Sequence, residues 1–163
     1  MSRLRQAVCA AVILFAGLAP GAAGAQSESI EDVFSDARLN AYVLEIEAAL
    51  ARAQAAEGVI PQSAADAITA AARPEAVPAD ALAAEYAIVR HRMVAFLNVF
   101  SRSLDADAAN YLHYGATTVD IYDTAAMLQV RQSILLLIED LRAIELQLID
   151  LAETHRDTPM IGR

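Results

Sequence analysis

The sequence predicts an all-α protein in which long helices pack as a bundle. Apolar residues recur at spacings of three and four along most of the chain, which is the period of an amphipathic helix. The final segment continues this pattern as an unbroken heptad repeat. No stretch shows the strict alternation of apolar and polar residues that predicts a strand.

The first predicted helix begins after Ser35, a typical N-cap residue, with Asp36 in the first turn where the helix dipole favours an acid. Gly58 is expected to end this helix, and Pro61 supports the stop. Its apolar face consists of Leu39, Val43, Ile46, Leu50 and Ala53.

The middle of the chain predicts two further helices. A short alanine-rich helix is expected from Gln62 to Ala72, followed by a proline-containing loop over 73–78. We expect Asp80 to cap a third helix that runs to about Leu104, and a polar break over 105–110.

The last predicted helix, from Thr124 to about His155, carries a heptad seam. At 1.5 Å per residue it would be about 45–50 Å long. Further leucines and isoleucines lie off the seam, so this helix needs neighbours on more than one side. The seam consists of Met127, Val130, Ile134, Leu137, Leu141, Ile144, Leu148 and Leu151.

Residues 1–25 have the layout of a secretory signal peptide. Arg3 and Arg5 precede an apolar run over 7–18, and a small-x-small site ends at Ala25. The run is shorter than the roughly 20 residues that span a bilayer, so we expect no stable membrane span. The alternative to a signal peptide is an uncleaved membrane anchor or a misassigned start codon. The prediction is an exported, periplasmic protein if the signal peptide is genuine, and a cytoplasmic protein otherwise.

Composition and charge limit the partners and cross-links that we expect. The formal charge is −9, and removal of the two arginines in 1–25 would make it −11, so nucleic acid is not an expected partner. The only cysteine is Cys9, within the predicted signal, so the mature chain forms no disulfide. The apolar fraction of 56% predicts partner subunits or additional sequence that cover apolar surface.

The segment 111–125 is a polar island between two predicted helices. Gly115 permits a tight backbone turn, and Thr117 and Thr118 offer hydroxyl and N–H groups where the last helix begins. A helix N-terminus attracts anions, so a carboxylate or phosphate is a plausible ligand. The alternative is simple capping by Thr118 or Asp120, with His113 incidental.

The chain has two other histidines. His91 is expected in the middle of a helix, where a lone histidine is usually structural. His155 is interpreted as a cap at the end of the last helix. The histidine spacings match no zinc motif, and no phosphate-binding loop or dinucleotide fingerprint occurs, so we predict neither a metal nor a cofactor.

Three segments carry recognisable motifs: Glu47-Ala-Ala-Leu-Ala-Arg-Ala-Gln with Gly58-Val-Ile-Pro, the island 111–125, and His-Arg-Asp-Thr-Pro-Met-Ile-Gly-Arg at 155–163. Together they resemble the fumarase/aspartase superfamily of lyases, in its adenylosuccinate lyase and 3-carboxy-cis,cis-muconate cycloisomerase branch. The resemblance implies a bundle of twenty long helices in a homotetramer, with active sites built from three subunits. It also implies β-elimination of fumarate from a small dicarboxylate-bearing substrate, without a cofactor.

The resemblance assigns roles to five residues. His91 and His113 match the two catalytic histidines of adenylosuccinate lyases in this part of the sequence. Thr117 and Thr118 match the Thr-Ser pair that holds substrate carboxylate or phosphate, and Asp120 matches the acidic residue that follows this pair.

The chain also departs from the family pattern. Arg92 stands where an aspartate is expected, and residues 26–33 hold no counterpart of the Arg-Tyr that grips the nucleotide phosphate. The sequence stops before the histidine or tryptophan expected after Gly-Arg and before the serine loop.

We therefore expect the amino-terminal portion of an adenylosuccinate-lyase-like enzyme, inactive in this form. It divides into a helical region over 26–110 and the first conserved block with the long helix over 111–163. One alternative is a carboxymuconate-type cycloisomerase. Another is a non-catalytic exported protein that retains the helical fold.

Overall fold

The computed structural model describes residues 29–162, and these residues form α-helices, turns and no strand. The all-α prediction is confirmed for this part of the chain. The helices are α1 (Ile30–Val33), α2 (Asp36–Ala56), α3 (Gln62–Ala71), α4 (Ala79–Val89), α5 (Arg92–Ser101), α6 (Ala106–Ala109) and α7 (Thr118–Thr154), with a 3-10 turn at Pro74–Ala76. The predicted signal peptide, residues 1–25, lies outside the described residues and stays a prediction.

Helix α2 begins and ends where the sequence predicts. The hydroxyl of Ser35 accepts a hydrogen bond from the Arg38 N–H at 3.2 Å, which satisfies one of the unpaired donors of the first turn. Gly58 follows the helix with a φ of 72°, a left-handed conformation that favours glycine.

The core lies where α2 meets α3, α5 and the first turns of α7. Helix α2 packs against α3 and α7, so it is the central element of the described region. Burial of the apolar side chains of this core removes apolar surface from water and supplies the main favourable free energy of folding. The core includes Val43, Leu44, Ile68, Met93, Phe96, Phe100, Ile121 and Ala125.

The predicted third helix is wrong, because the structure divides it into two. Arg90 adopts a left-handed conformation with a φ of 54°, and His91 is extended, so α4 ends and α5 begins. Pro78 is the N-cap of α4, and Asp80 lies within its first turn. The apolar pattern continues across the break and the sequence has neither glycine nor proline there, so no local feature marked it.

Helices α4 and α5 pack against each other across this break. The carboxylate of Glu85 on α4 accepts a hydrogen bond from Asn98 Nδ2 at 2.8 Å and forms an ion pair with Arg102, both on the α5 side. The hydrogen bond from Asn98, followed by the contact with Arg102, holds the pKa of Glu85 below its usual range.

Helix α7 has 37 residues and is about 55 Å long at 1.5 Å per residue. It begins at Thr118, earlier than the predicted Thr124, and its first turns are anchored: Gln129 is buried and its Nε2 donates to the Val33 carbonyl at 2.9 Å. From Glu139 to Thr154 every residue is exposed. The large apolar side chains on this exposed half are Leu141, Ile144, Leu146, Leu148, Ile149 and Leu151.

The exposed half of α7 agrees with the expectation that this chain has more apolar surface than it covers by itself. Within residues 29–162, no helix is both long enough and apolar enough to cross a membrane.

Candidate functional site

The polar island forms a tight turn between α6 and α7. His113 has a φ of 59° and Gly115 a φ of 69°, so two residues of the turn are left-handed. Glycine adopts this conformation freely, but a histidine does so only when its surroundings hold it there. The side chains that contact His113 therefore show what holds it in this conformation.

A buried carboxylate on α2 binds the His113 ring. Nδ1 of His113 lies 2.6 Å from Oε1 of Glu47, and the two side chains are 14% and 0% exposed. Burial raises the pKa of the Glu47 carboxyl above its ordinary value of 4.5, while the hydrogen bond with His113 acts in the opposite direction. Oε2 of Glu47 is also buried and has no hydrogen-bond partner among the described residues.

A second side chain of α2 holds the backbone of the same turn. Nε2 of Gln54 donates a hydrogen bond to the carbonyl of Tyr114 at 2.6 Å. Gln54 follows Glu47 by seven residues, or about two helical turns, so both side chains lie on one side of α2. Helix α2 therefore fixes both the ring of His113 and the backbone next to it.

The turn leads directly into the N-terminus of α7. Thr117 is the N-cap and Thr118 the first helical residue. The carboxylate of Asp120 accepts a hydrogen bond from the Thr117 N–H at 2.9 Å, so this acid caps the helix as the capping alternative expects. The free N–H groups of the first turn still favour an anion near Thr118.

The structure thus brings His113, Thr117, Thr118 and Asp120 into one short segment. It does not bring His91 into that segment. His91 is exposed and acts as the N-cap of α5, where its Nδ1 accepts a hydrogen bond from the Val94 N–H at 3.3 Å. The expectation that His91 lies in the middle of a helix is wrong, because the chain turns at Arg90.

The two histidines lie at different levels of α2. Arg92, next to His91, forms an exposed ion pair with Asp36 at 3.0 Å, whereas His113 binds Glu47 eleven residues farther along the helix. Eleven residues correspond to about 16 Å along the helix axis. Within this chain, His91 and His113 therefore lie near different parts of α2 and do not form one site.

A groove of about 440 Å³ lies near the start of α5. Arg92 and Asp36 line it together with Tyr86 and Tyr122. Partial burial raises the pKa of the Tyr122 hydroxyl, and the nearby charge of Arg92 acts in the opposite direction. The groove thus combines aromatic rings with one guanidinium, which is already paired.

The third histidine lies at the end of α7. His155 is the C-cap of α7, and its Nδ1 lies 3.2 Å from the Thr158 hydroxyl, which confirms its capping interpretation. Among residues 29–162, no group of three or more histidine, cysteine, aspartate or glutamate side chains is arranged to hold a metal ion.

Sequence reasoning missed Glu47 and Gln54 as parts of the site. One pattern does indicate Glu47: it lies four residues from both Val43 and Ala51, which are buried apolar residues of α2. A charged residue on a buried helix face needs a partner. The sequence does not reveal that this partner is His113, 66 residues away.

Comparison with known proteins gives a consistent set of relatives. A family model described as lyase matches residues 15–163. Nitrosuccinate lyase of Streptomyces davaonensis is 43% identical over 157 residues, covering 94% of this chain and 32% of the relative. The 3-carboxy-cis,cis-muconate cycloisomerase of Acinetobacter baylyi is 38% identical over 82% of this chain and 31% of its own. Adenylosuccinate lyase of Methanocaldococcus jannaschii is 36% identical over 74% of this chain and 26% of its own.

Solved structures agree with these relatives. The carboxymuconate cycloisomerase from Acinetobacter calcoaceticus superposes with a TM-score of 0.75 at 37% identity, over 82% of this chain and 32% of that one. A fumarate lyase from Mesorhizobium superposes with a TM-score of 0.75 at 41% identity, over 82% and 31%. The chain spans about a third of the length of the curated relatives that it matches.

Proposed function

The chain belongs to the lyase family of the fumarase/aspartase superfamily, and from this premise we propose that it supplies part of the active site of an enzyme that eliminates a substituent from a substituted succinate. The single observation that carries the proposal is His113, which the buried Glu47 holds next to the start of α7. A group that can exchange a proton thus lies beside a helix end that favours a carboxylate.

The proposed reaction is a β-elimination that releases fumarate. A base removes the proton from the carbon next to one carboxylate, and the electrons of that C–H bond form the new double bond. The leaving group departs with its bonding electron pair and receives a proton from an acid. Such a reaction needs a positioned acid or base and donors that stabilise the developing negative charge.

Each residue of the segment has a part in this proposal. His113 exchanges a proton with the substrate, and a substrate carboxylate is bound by the hydroxyl groups of Thr117 and Thr118 together with the Thr118 N–H. Asp120 supports binding through the cap that fixes the helix start. His91 acts at an active site completed by other copies of the chain in a homotetramer, since it lies apart from His113 here.

The names of two relatives support a succinate-bearing substrate. Nitrosuccinate lyase and adenylosuccinate lyase are both named for a substituted succinate, although the substituents differ. The common part is the dicarboxylate, so we propose a small dicarboxylate-bearing substrate and leave its substituent to experiment. Because the chain spans about a third of these relatives, the proposed activity belongs to the complete gene product, and we expect the 163 residues alone to be inactive.

A second candidate is cycloisomerisation of a carboxymuconate. The identity of 38% to a 3-carboxy-cis,cis-muconate cycloisomerase and the TM-score of 0.75 to another such enzyme favour it. A third candidate is a non-catalytic exported protein that retains the helical fold.

One assay distinguishes the three candidates. The complete gene product and the 163-residue chain are incubated separately with nitrosuccinate, adenylosuccinate and 3-carboxy-cis,cis-muconate, and the products are identified by chromatography. Fumarate from either succinate supports the proposal, and a lactone from the muconate supports the cycloisomerase. No turnover of any of the three by the complete product would favour the non-catalytic alternative.

The role of His113 is tested with the same assay. The variant His113→Gln should lower turnover at least a hundredfold, the scale on which acid–base groups contribute. His155→Gln is the matched control, because His155 caps the far end of α7 and should leave turnover unchanged. Full activity of His113→Gln would contradict the proposed site.

A further inference from the structure

We propose that Glu47 is a positioning residue for the active site, whose carboxylate holds Nδ1 of His113 so that Nε2 is the atom that exchanges protons with the substrate. This inference rests on the proposed function, because it requires His113 to act on a substrate. Glu47 itself touches no reacting atom and acts only through the ring.

While Glu47 is ionised, the contact fixes where the ring carries its proton. An ionised carboxylate can only accept hydrogen bonds, so Nδ1 at 2.6 Å from Oε1 must donate. A neutral imidazole has one N–H, which leaves Nε2 unprotonated and able to accept a proton. Among the described residues, the ring of His113 makes no other hydrogen bond, so Nε2 stays available.

A purely structural role does not explain the burial of Glu47. A carboxylate loses much hydration free energy when it is buried, and a single ion pair often fails to recover it. Glu47 is fully buried beside Val43 and Ala51, and its Oε2 finds no partner among residues 29–162. An apolar residue of similar size would fit this face of α2 at less cost, but it would leave the His113 ring without an acceptor.

The backbone around the ring indicates the same purpose. His113 has a φ of 59°, a left-handed conformation that is uncommon for residues other than glycine, and Gln54 donates to the carbonyl of Tyr114 at 2.6 Å. Two polar side chains of one helix thus act on this turn: Glu47 binds the ring of His113, and Gln54 binds the carbonyl of Tyr114. Gln54 therefore offers a control that disturbs the turn without removing the acceptor of Nδ1.

The proton transfer can be written for the acid half of the reaction. The bond between carbon and the leaving atom breaks, and its electron pair stays with the leaving atom. The proton on Nε2 of the imidazolium passes to that atom. The ring is then neutral and keeps its N–H at Nδ1, which donates to Glu47.

The first test measures the tautomer and needs no activity. The 163-residue chain is labelled with ¹⁵N-histidine, and the imidazole nitrogen shifts are recorded on the alkaline side of the ring titration, with His113→Gln used to assign the signals. Wild type should show a protonated Nδ1 and an unprotonated Nε2. In Glu47→Gln and Glu47→Leu the ring should shift towards the form protonated at Nε2, whereas the control Gln54→Leu should keep the wild-type tautomer.

Two results would overturn the proposal. One is a wild-type ring that already carries its proton on Nε2, which is decisive even if the Glu47 variants fail to fold. The other is an unchanged tautomer in both folded Glu47 variants.

The second test uses the complete gene product. Glu47→Gln should lower kcat roughly ten- to hundredfold, by analogy with carboxylates that orient metal-bound histidines, with KM little changed. Loss of activity in His113→Gln together with an unchanged tautomer and kcat in Glu47→Gln would refute the role of Glu47 alone. Full activity in His113→Gln would instead refute the proposed function, while the tautomer result could still hold.

Discussion

At the scale of single residues, the pair of Glu47 and His113 is the feature with the clearest physical consequences. A buried carboxylate that accepts one hydrogen bond from a ring is favourable only while that ring donates. The stability of the chain should therefore depend on the protonation of this pair.

The pH dependence of stability follows from the pKa of Glu47, which burial raises above 4.5. The folded chain binds a proton here more tightly than the unfolded chain does, so stability falls as pH rises from about 4.5 through the raised value. Glu47→Gln removes this proton-binding group. We expect its melting temperature, relative to wild type, to improve as pH increases through this range.

Thermal unfolding followed by circular dichroism at a series of pH values checks this expectation. Glu45→Gln is the matched control, because Glu45 is an exposed residue of the same helix and its removal should give no such trend. A difference between Glu47→Gln and wild type that stays constant with pH would contradict the expectation.

At the scale of elements, the break between α4 and α5 is the main feature that the local sequence does not predict. Arg90 ends α4 in a left-handed conformation, for which a side chain with Cβ carries a penalty. His91 then begins α5 by capping it with its ring. The break turns one continuous apolar pattern into two packed helices.

Arg90→Gly should stabilise the chain by up to about 1 kcal/mol, because glycine adopts the left-handed conformation without the Cβ penalty. Part of this gain is offset by the greater entropy of glycine in the unfolded chain. Arg90→Ala retains Cβ and serves as the control, with no comparable gain. Urea unfolding of the three proteins gives the comparison, and equal stability of the Gly and Ala variants would argue against a left-handed Arg90.

At the scale of the whole molecule, the exposed half of α7 dominates. Its leucines and isoleucines are exposed to solvent along about 24 Å of helix, counting residues 139–154 at 1.5 Å each. A soluble chain rarely leaves so continuous an apolar surface uncovered. The proposed homotetramer would cover it with helices from other copies.

We expect the 163-residue chain to self-associate through this surface. Leu141 and Leu148 are 63% and 60% exposed and lie two turns apart on α7. The double variant Leu141→Glu with Leu148→Glu should shift the chain towards monomer in light scattering coupled to gel filtration. Gln147→Glu adds a charge without removing an apolar side chain and should change little. A monomeric wild type at every concentration would contradict this expectation.

The proposed export of the protein is tested on the whole chain as well. If residues 1–25 act as a signal peptide, expression in a Gram-negative host should release a mature protein that begins at Gln26. Mass spectrometry of the periplasmic fraction measures this directly. A variant with Arg3 and Arg5 replaced by glutamate should remain unprocessed, and an intact amino terminus in wild type would favour the cytoplasmic alternative.

The sequence by itself determined the helical class, the caps of α2 and the polar segment at the start of α7. These features depend on residues close together in the chain: the apolar spacing, the hydroxyl of Ser35, the left-handed turn at Gly58 and the polar run from His113 to Asp120. The family resemblance also rested on such short segments, so it was available before the structure.

Only the tertiary structure decided the break at Arg90 and the partners of His113. Nothing in the local sequence distinguishes Arg90 from its helical neighbours, and its left-handed conformation lies at the turn where α4 packs back against α5. Glu47 and His113 are 66 residues apart, and only the fold brings them within 2.6 Å. The partner of a buried charge is the polar group that the fold places next to it, and the spacing of residues along the chain does not reveal which group that is.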